Sequence, residues 1–122
     1  MRVRESAVLV VDTEGVIRFW SEGAAQLFGH ENHAAVGKTL DVLVPVDFRE
    51  RHWRGFHRAI EAQESRIDGF AAVLPVLCGD GRVRQFAGRL SLVRDPSGRV
   101  VGAMATYCDM TAETRGLPIL GA

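Results

Sequence analysis

Three turn signals constrain this chain more than any other feature. Thr13-Glu14-Gly15, Gly79-Asp80-Gly81 and Asp95-Pro96-Ser97-Gly98 each lie between short runs rich in apolar and β-branched residues. Gly15 supplies the unusual φ that closes the first reversal, and the other two carry the residues that tight turns favour. Apolar runs joined this way pair as antiparallel hairpins. The first turn joins residues 7–12 to 16–20, the second joins 67–77 to 82–93, and the third joins that run to 100–108. Pro75 has no N–H to give to a ladder, which places its strand at a sheet edge or a bulge. In 82–93, Phe86, Gly88, Leu90 and Leu92 alternate with Gln85, Ala87, Arg89 and Ser91, the pattern of a strand with one buried face.

Between the hairpins the pattern turns helical. Ser21 is a good N-cap for a short helix over 22–28, and Gly29 is placed to stop it. Gly37 and Pro45 punctuate the next stretch, with a helical turn expected near 39–43. Asp47 is placed to cap a longer helix over 48–62. On that helix Phe48, His52, Trp53, Phe56, Ala59 and Ile60 share one face, and Glu50, Arg51, Arg54, Arg58 and Glu61 share the other. His52 is therefore expected to point inward, and His57, at the boundary, toward water. Strands, then helices, then strands joined by hairpins imply an α+β domain with helices on one sheet face.

The 122 residues suit one domain, and 15 basic residues balance 15 acidic ones. Zero net charge removes the electrostatic case for nucleic acid or an anionic membrane as partner. No apolar run is long enough to span a bilayer and no signal peptide is seen, so the expected location is the cytoplasm. Cys78 and Cys108 are expected to be free thiols acting as small apolar fillers. Trp20 and Trp53 read as core or sheet-face residues.

The stretch DTEGVIRFWSEGAAQLFGH at 12–30, the GDGRV turn at 79, DPSGRVVG at 95 and DMT at 109 follow one another in the order and spacing of the PAS family. The chain resembles that family over 7–111, with Ser21 standing where Asn is frequent. The resemblance implies a five-stranded antiparallel sheet in spatial order 2-1-5-4-3 and a helical flank enclosing a pocket. It divides the chain into a short N-terminal segment, 1–6, a PAS domain, 7–111, and a loose C-terminal tail, 112–122. It also implies a sensory or regulatory module that signals through protein contacts. A homodimer is expected through the outer sheet face and the N-terminal residues, with Val101, Ala103 and Ala105 as outward candidates.

Arg51 to Arg58, RHWRGFHR, is similar to the corresponding helix of the rhizobial oxygen-sensing haem-PAS kinases. Their proximal histidine falls on His52, which implies haem b with His52 Nε2 as the iron ligand. Their propionate-facing cations fall on Arg58 and Arg66, and their distal arginine falls on Ala72. Phe56 beside His52 and Leu90 on the facing strand complete the candidate cofactor pocket. Ala72 removes the charged distal donor, so bound oxygen is expected to be less stabilised. The other reading of His52 is a core histidine bonded to backbone or water.

Other chemistries lack their residues. The Asn-Cys-Arg motif of flavin-binding light sensors is absent, as are nucleophile-elbow, zinc-protease and phosphate-loop patterns. Glu61 and Glu64 read as solvated helix charges, and His30 and His33 as surface residues rather than a zinc pair. Two alternatives to a ligand sensor remain open: a ligand-free interaction module, and a small isomerase-like enzyme needing an inward acid or a tyrosine. Tyr107 is the single tyrosine.

Overall fold

The structure, a computed structural model, describes residues 6–110, 114 and 116–119. Five strands form one sheet: β1 (Ala7–Asp12), β2 (Ile17–Trp20), β3 (Ala71–Leu77), β4 (Val83–Arg94) and β5 (Val100–Cys108). Their order is β2-β1-β5-β4-β3, with every neighbour antiparallel. Three helices lie between β2 and β3: α1 (Glu22–Phe28), α2 (Asn32–Ala35) and α3 (Arg49–Ala62). Two 3-10 turns, Leu40–Val42 and Val46–Phe48, lead into α3. Among the described residues no helix is long and apolar enough to cross a membrane.

The turns form as their residues dictate. Asp12 Oδ1 accepts from the amides of Glu14 and Val16 at 2.9 and 3.0 Å. Asp95 Oδ1 accepts in the same way from Ser97 and Arg99 at 2.9 and 3.1 Å. At the second hairpin Arg84 bonds Asp80 at 2.7 Å, and that bond holds the Asp80 carboxyl down at about 2.

Ser21 anchors α1 to the sheet. Its hydroxyl accepts from Ala24 N–H at 3.1 Å, as a cap does, and from Val8 N–H of β1 at 2.9 Å. Gly29 ends the helix at φ 80. The Phe28 carbonyl beside it accepts from Gly79 N–H at 2.8 Å, and a β-carbon on Gly79 would collide with the Gly29 backbone. Phe28 itself is 1% exposed. Its ring meets those of Trp20, Phe86 and Tyr107 at 5.9, 5.1 and 5.0 Å. Leu9, Ile17, Val76 and Cys78 belong to the same core.

Both sheet edges are closed. Ile17 exchanges hydrogen bonds with Lys38 and Gly37 along β2, each 2.8 Å. On β3, Leu77 N–H reaches Leu43 and Val73 N–H reaches Pro118, both at 2.7 Å, with Pro75 between them. Such an edge offers little for a foreign strand to pair with.

Several expectations need correction. Residues 67–70 are a turn, with Gly69 at φ 80, and the strand starts at Ala71. Asp47 does not cap α3; it lies in the 3-10 turn that opens at Pro45 and runs straight into the helix. Ala103 and Ala105 face the helices and pack in the core, so Met104 and Thr106 are the outward residues of β5. Cys78 is buried as a filler, but Cys108 is exposed. His33 is exposed, but His30 is half-buried and its Nε2 bonds the Leu77 carbonyl at 2.9 Å. Most of the 1–6 and 112–122 segments lie outside the described residues; within the second, Ile119 bridges Val73 in parallel.

Candidate ligand pocket

Helix α3 is fastened at its two ends. At the first, Arg49 reaches the carbonyls of Val44 and Asp41 at 3.1 and 3.0 Å. Trp53 Nε1 donates to Asp41 Oδ1 at 2.7 Å, and its indole lies where a β-carbon on Gly15 would be. At the other end Gln63 accepts from Val100 N–H at 2.7 Å. Between these fastenings no residue of α3 is buried. His52, Trp53, Phe56, Ala59 and Ile60 are half-buried on one side, as the amphipathic pattern requires. Leu90 and Ala103 of the inner sheet face are partly covered, whereas Val101 is 44% exposed.

His52 is the polar group of this interior. Its ring stacks on Phe56 at 6.1 Å and meets Trp53 edge-on at 5.0 Å. Its Nδ1 is buried and has no hydrogen-bond partner. Buried ring nitrogens are normally bonded, so this atom is left for something else to satisfy. Burial lowers the imidazole pKa; the Asp41 charge opposes that and His57 adds to it. The ring is therefore neutral at physiological pH, the form that ligates a metal or exchanges a hydrogen bond with a ligand.

Of the residues singled out in the sequence, the structure brings His52 and Phe56 into contact, and Leu90 and Phe56 pack against the same core. Ala72 is buried on edge strand β3, opposite Gly88. A β-carbon on Gly88 would stand 2.6 Å from Leu74 and 2.9 Å from Tyr107, so those two side chains occupy the space beside Ala72. Arg58 and Arg66 are exposed. A groove of about 620 Å³ opens at the far end of α3, lined by Thr13, Ile60, Gln63, Arg99, Val100 and Val101 among others. Sequence reasoning missed the fastenings. Asp41 and Trp53 are twelve positions apart, and Gln63 and Val100 are 37 apart, with no local pattern joining either pair. Among the described residues no three His, Cys, Asp or Glu side chains cluster as a metal site. For a haem, His52 offers a neutral imidazole in an apolar setting, but the unpartnered buried atom is Nδ1, not the Nε2 expected to hold the iron.

An antiparallel sheet with helices on one face makes this a small domain of the α+β class. The chain belongs to the PAS family: the family model described as the PAS fold matches residues 3–115. It is 29% identical over 75 residues to the sensor protein FixL of Bradyrhizobium diazoefficiens, covering 62% of this chain and 15% of FixL. It is 28% identical over 75 residues to the oxygen sensor protein DosP of Escherichia coli, covering 62% of this chain and 9% of DosP. The chain thus spans a small part of the curated relatives it matches. The fold is similar to that of a PAS domain from Colwellia psychrerythraea, with TM-score 0.72 and 23% identity, covering 87% of this chain and 86% of that one.

Proposed function

We propose that this PAS domain is a sensory module whose small ligand binds between α3 and the inner sheet face, with His52 as its polar contact. The observation that carries this reading is the buried, unpartnered His52 Nδ1 on a helix that buries no residue fully. An unsatisfied buried nitrogen costs about 1–3 kcal/mol, which a ligand or a bound water can recover. Haem b is the specific ligand we propose. His52 would hold its iron, Phe56 and Leu90 would flank it, and Arg58 and Arg66 would serve its propionates. Bound there, the iron supplies a centre that takes up a diatomic gas or changes redox state. The chain's own part is to keep the imidazole neutral, oriented by Phe56 and Trp53, with its Nδ1 out of water. Ala72 leaves the β3 side without a charged donor toward bound gas.

The module is read as non-catalytic. Burial pushes the Tyr107 phenol up to about 12, so it does not act as a base at neutral pH. Signalling is proposed to run through self-association in the cytoplasm. The outer face carries an apolar row across three strands, Phe19, Val10 and Met104, opposite one another in register. A second reading, a ligand-free interaction module, is favoured by one observation: the ring cluster around Phe28 and the crowding at Gly88 fill the α1 half of the interior.

Hemin titration followed in the visible spectrum tests the proposal. A Soret band at one equivalent, lost in His52→Ala while circular dichroism is unchanged, is expected. No uptake by the wild-type protein overturns the haem reading. Native mass without any retained small molecule would then favour the ligand-free module.

A further inference from the structure

Gln63 does more than end α3. It sits at φ 62, the left-handed region where Gly is the ordinary choice and a Gln is strained. A Gly would stop the helix equally well, so the side chain needs another account. Its Nε2 donates back to the Ile60 carbonyl of α3 at 2.8 Å, and its Oε1 accepts from Val100 N–H of β5 at 2.7 Å. Its own carbonyl accepts from Arg94 of β4 at 2.7 Å, and the same guanidinium reaches the Gly98 carbonyl in the turn at 2.9 Å. The β4–β5 ladder shifts register between Val93 and Arg94, which is where the Gln63 bonds enter. One residue therefore joins the end of the ligand helix, the last residue of β4 and the first residue of β5. Strand β5 is central, paired to both β1 and β4.

We propose that Gln63 is a positioning residue that latches α3 to β5, so that movement of α3 over the pocket is read out at the β4–β5 hairpin. This rests on the ligand-sensing reading of α3 above. The groove lined by Ile60, Gln63, Val100 and Val101 opens directly on the latch. Trp53 and Arg49 fasten the opposite end of α3, so a displacement of the helix middle reaches Gln63 along one rigid element.

Amide hydrogen exchange at Val100 tests the latch. In Gln63→Leu the Val100 amide is expected to exchange about tenfold faster, the change that losing one hydrogen bond of ordinary strength makes. Gln63→Glu keeps the acceptor and should restore slow exchange. Gln63→Gly relieves the backbone but removes the side chain, and should exchange as fast as Gln63→Leu. Leu9 and Ala105 amides, in the β1–β5 ladder, report that each variant is folded. Coupling is read from a second substitution: Trp53→Ala, which frees the other end of α3, should speed Val100 exchange in the Gln63 protein and add nothing in Gln63→Leu. Unchanged Val100 exchange in Gln63→Leu or Gln63→Gly overturns the latch, and an equal Trp53→Ala effect in both backgrounds overturns the coupling. Hemin should move the Val100 amide resonance in the wild-type protein and not in Gln63→Leu. Absence of hemin uptake defeats the haem reading alone, because the Trp53→Ala comparison contains no ligand.

Discussion

The two long-range attachments of the helical flank are built differently. Helix α1 has 7 residues and buries Gly23, Ala24 and Phe28; α3 has 14 and buries none. The α1 half has hydrogen bonds at its ends too, Ser21 to Val8 and Phe28 to Gly79, but its middle is held by apolar contact, with Phe28 enclosed by Trp20, Phe86 and Tyr107. The α3 half is held by polar fastenings at its ends, Arg49 and Trp53 on Asp41 and Gln63 on Val100. Apolar burial gives stability without allowing an alternative position, because a displaced ring leaves a void. Polar fastenings at two ends can open and close locally while the sheet stays intact, and segments that move in response to ligands come from such weakly buried regions. One half of the interior is thus fully buried and the other only half covered.

The sharpest way to break this comparison is to cut a ring from each half. Phe28→Ala should cost about 3–5 kcal/mol, and Phe56→Ala, half-buried, about 1–2 kcal/mol. Urea denaturation measures both; similar losses would mean that α3 is packed as firmly as α1. Next in size is Gly15→Ala. It demands φ 78 of an alanine and pushes its methyl into the Trp53 indole. A cost of about 2 kcal/mol is expected, with a red shift in tryptophan emission as Trp53 is displaced. Trp20, buried in the α1 half, should contribute an unchanged blue component.

A smaller effect separates the halves by pH. Burial lowers the His52 pKa below its ordinary 6.5 in the folded protein. Below 6.5 the unfolded chain therefore binds the proton more readily than the folded one, and stability falls as pH drops until the folded-state pKa is passed. Above 6.5 this contribution is fully present. In His52→Phe that component of the slope should vanish, as thermal melts between pH 7 and 5 would show; an unchanged slope would mean that the ring is open to water. The smallest effect belongs to the outer surface of α3. The Arg54–Glu50 pair, 2.9 Å apart and largely exposed, should change stability by no more than about 0.5 kcal/mol in Arg54→Ala.

Much of this architecture is legible in local chemistry. The Asp-to-amide turns, the Ser21 cap and the Gly29 stop involve residues two to four positions apart, so the residues that make each bond are visible together. Helix α3 was readable for the same reason: its alternating faces put His52 inward beside Phe56. Legibility fails where the choice depends on partners far away. Strand β5 is apolar on both sides, and only its register against Leu9 and Leu90 turns Ala103 and Ala105 to the core and Met104 outward.

The order of strands and helices, the hairpins and the amphipathic face of α3 were determined by the sequence itself, because each follows from backbone conformations and periodicities that operate within a few residues. The tertiary structure alone decided what those elements do to one another. It brought Asp41 under Trp53, set Gln63 against Val100, and closed the β3 edge with Leu43 and Pro118. It also left one nitrogen of His52 without a partner. Hydrogen bonding and desolvation depend on every neighbour of an atom at once, and those neighbours come from separate parts of the chain only when it has folded.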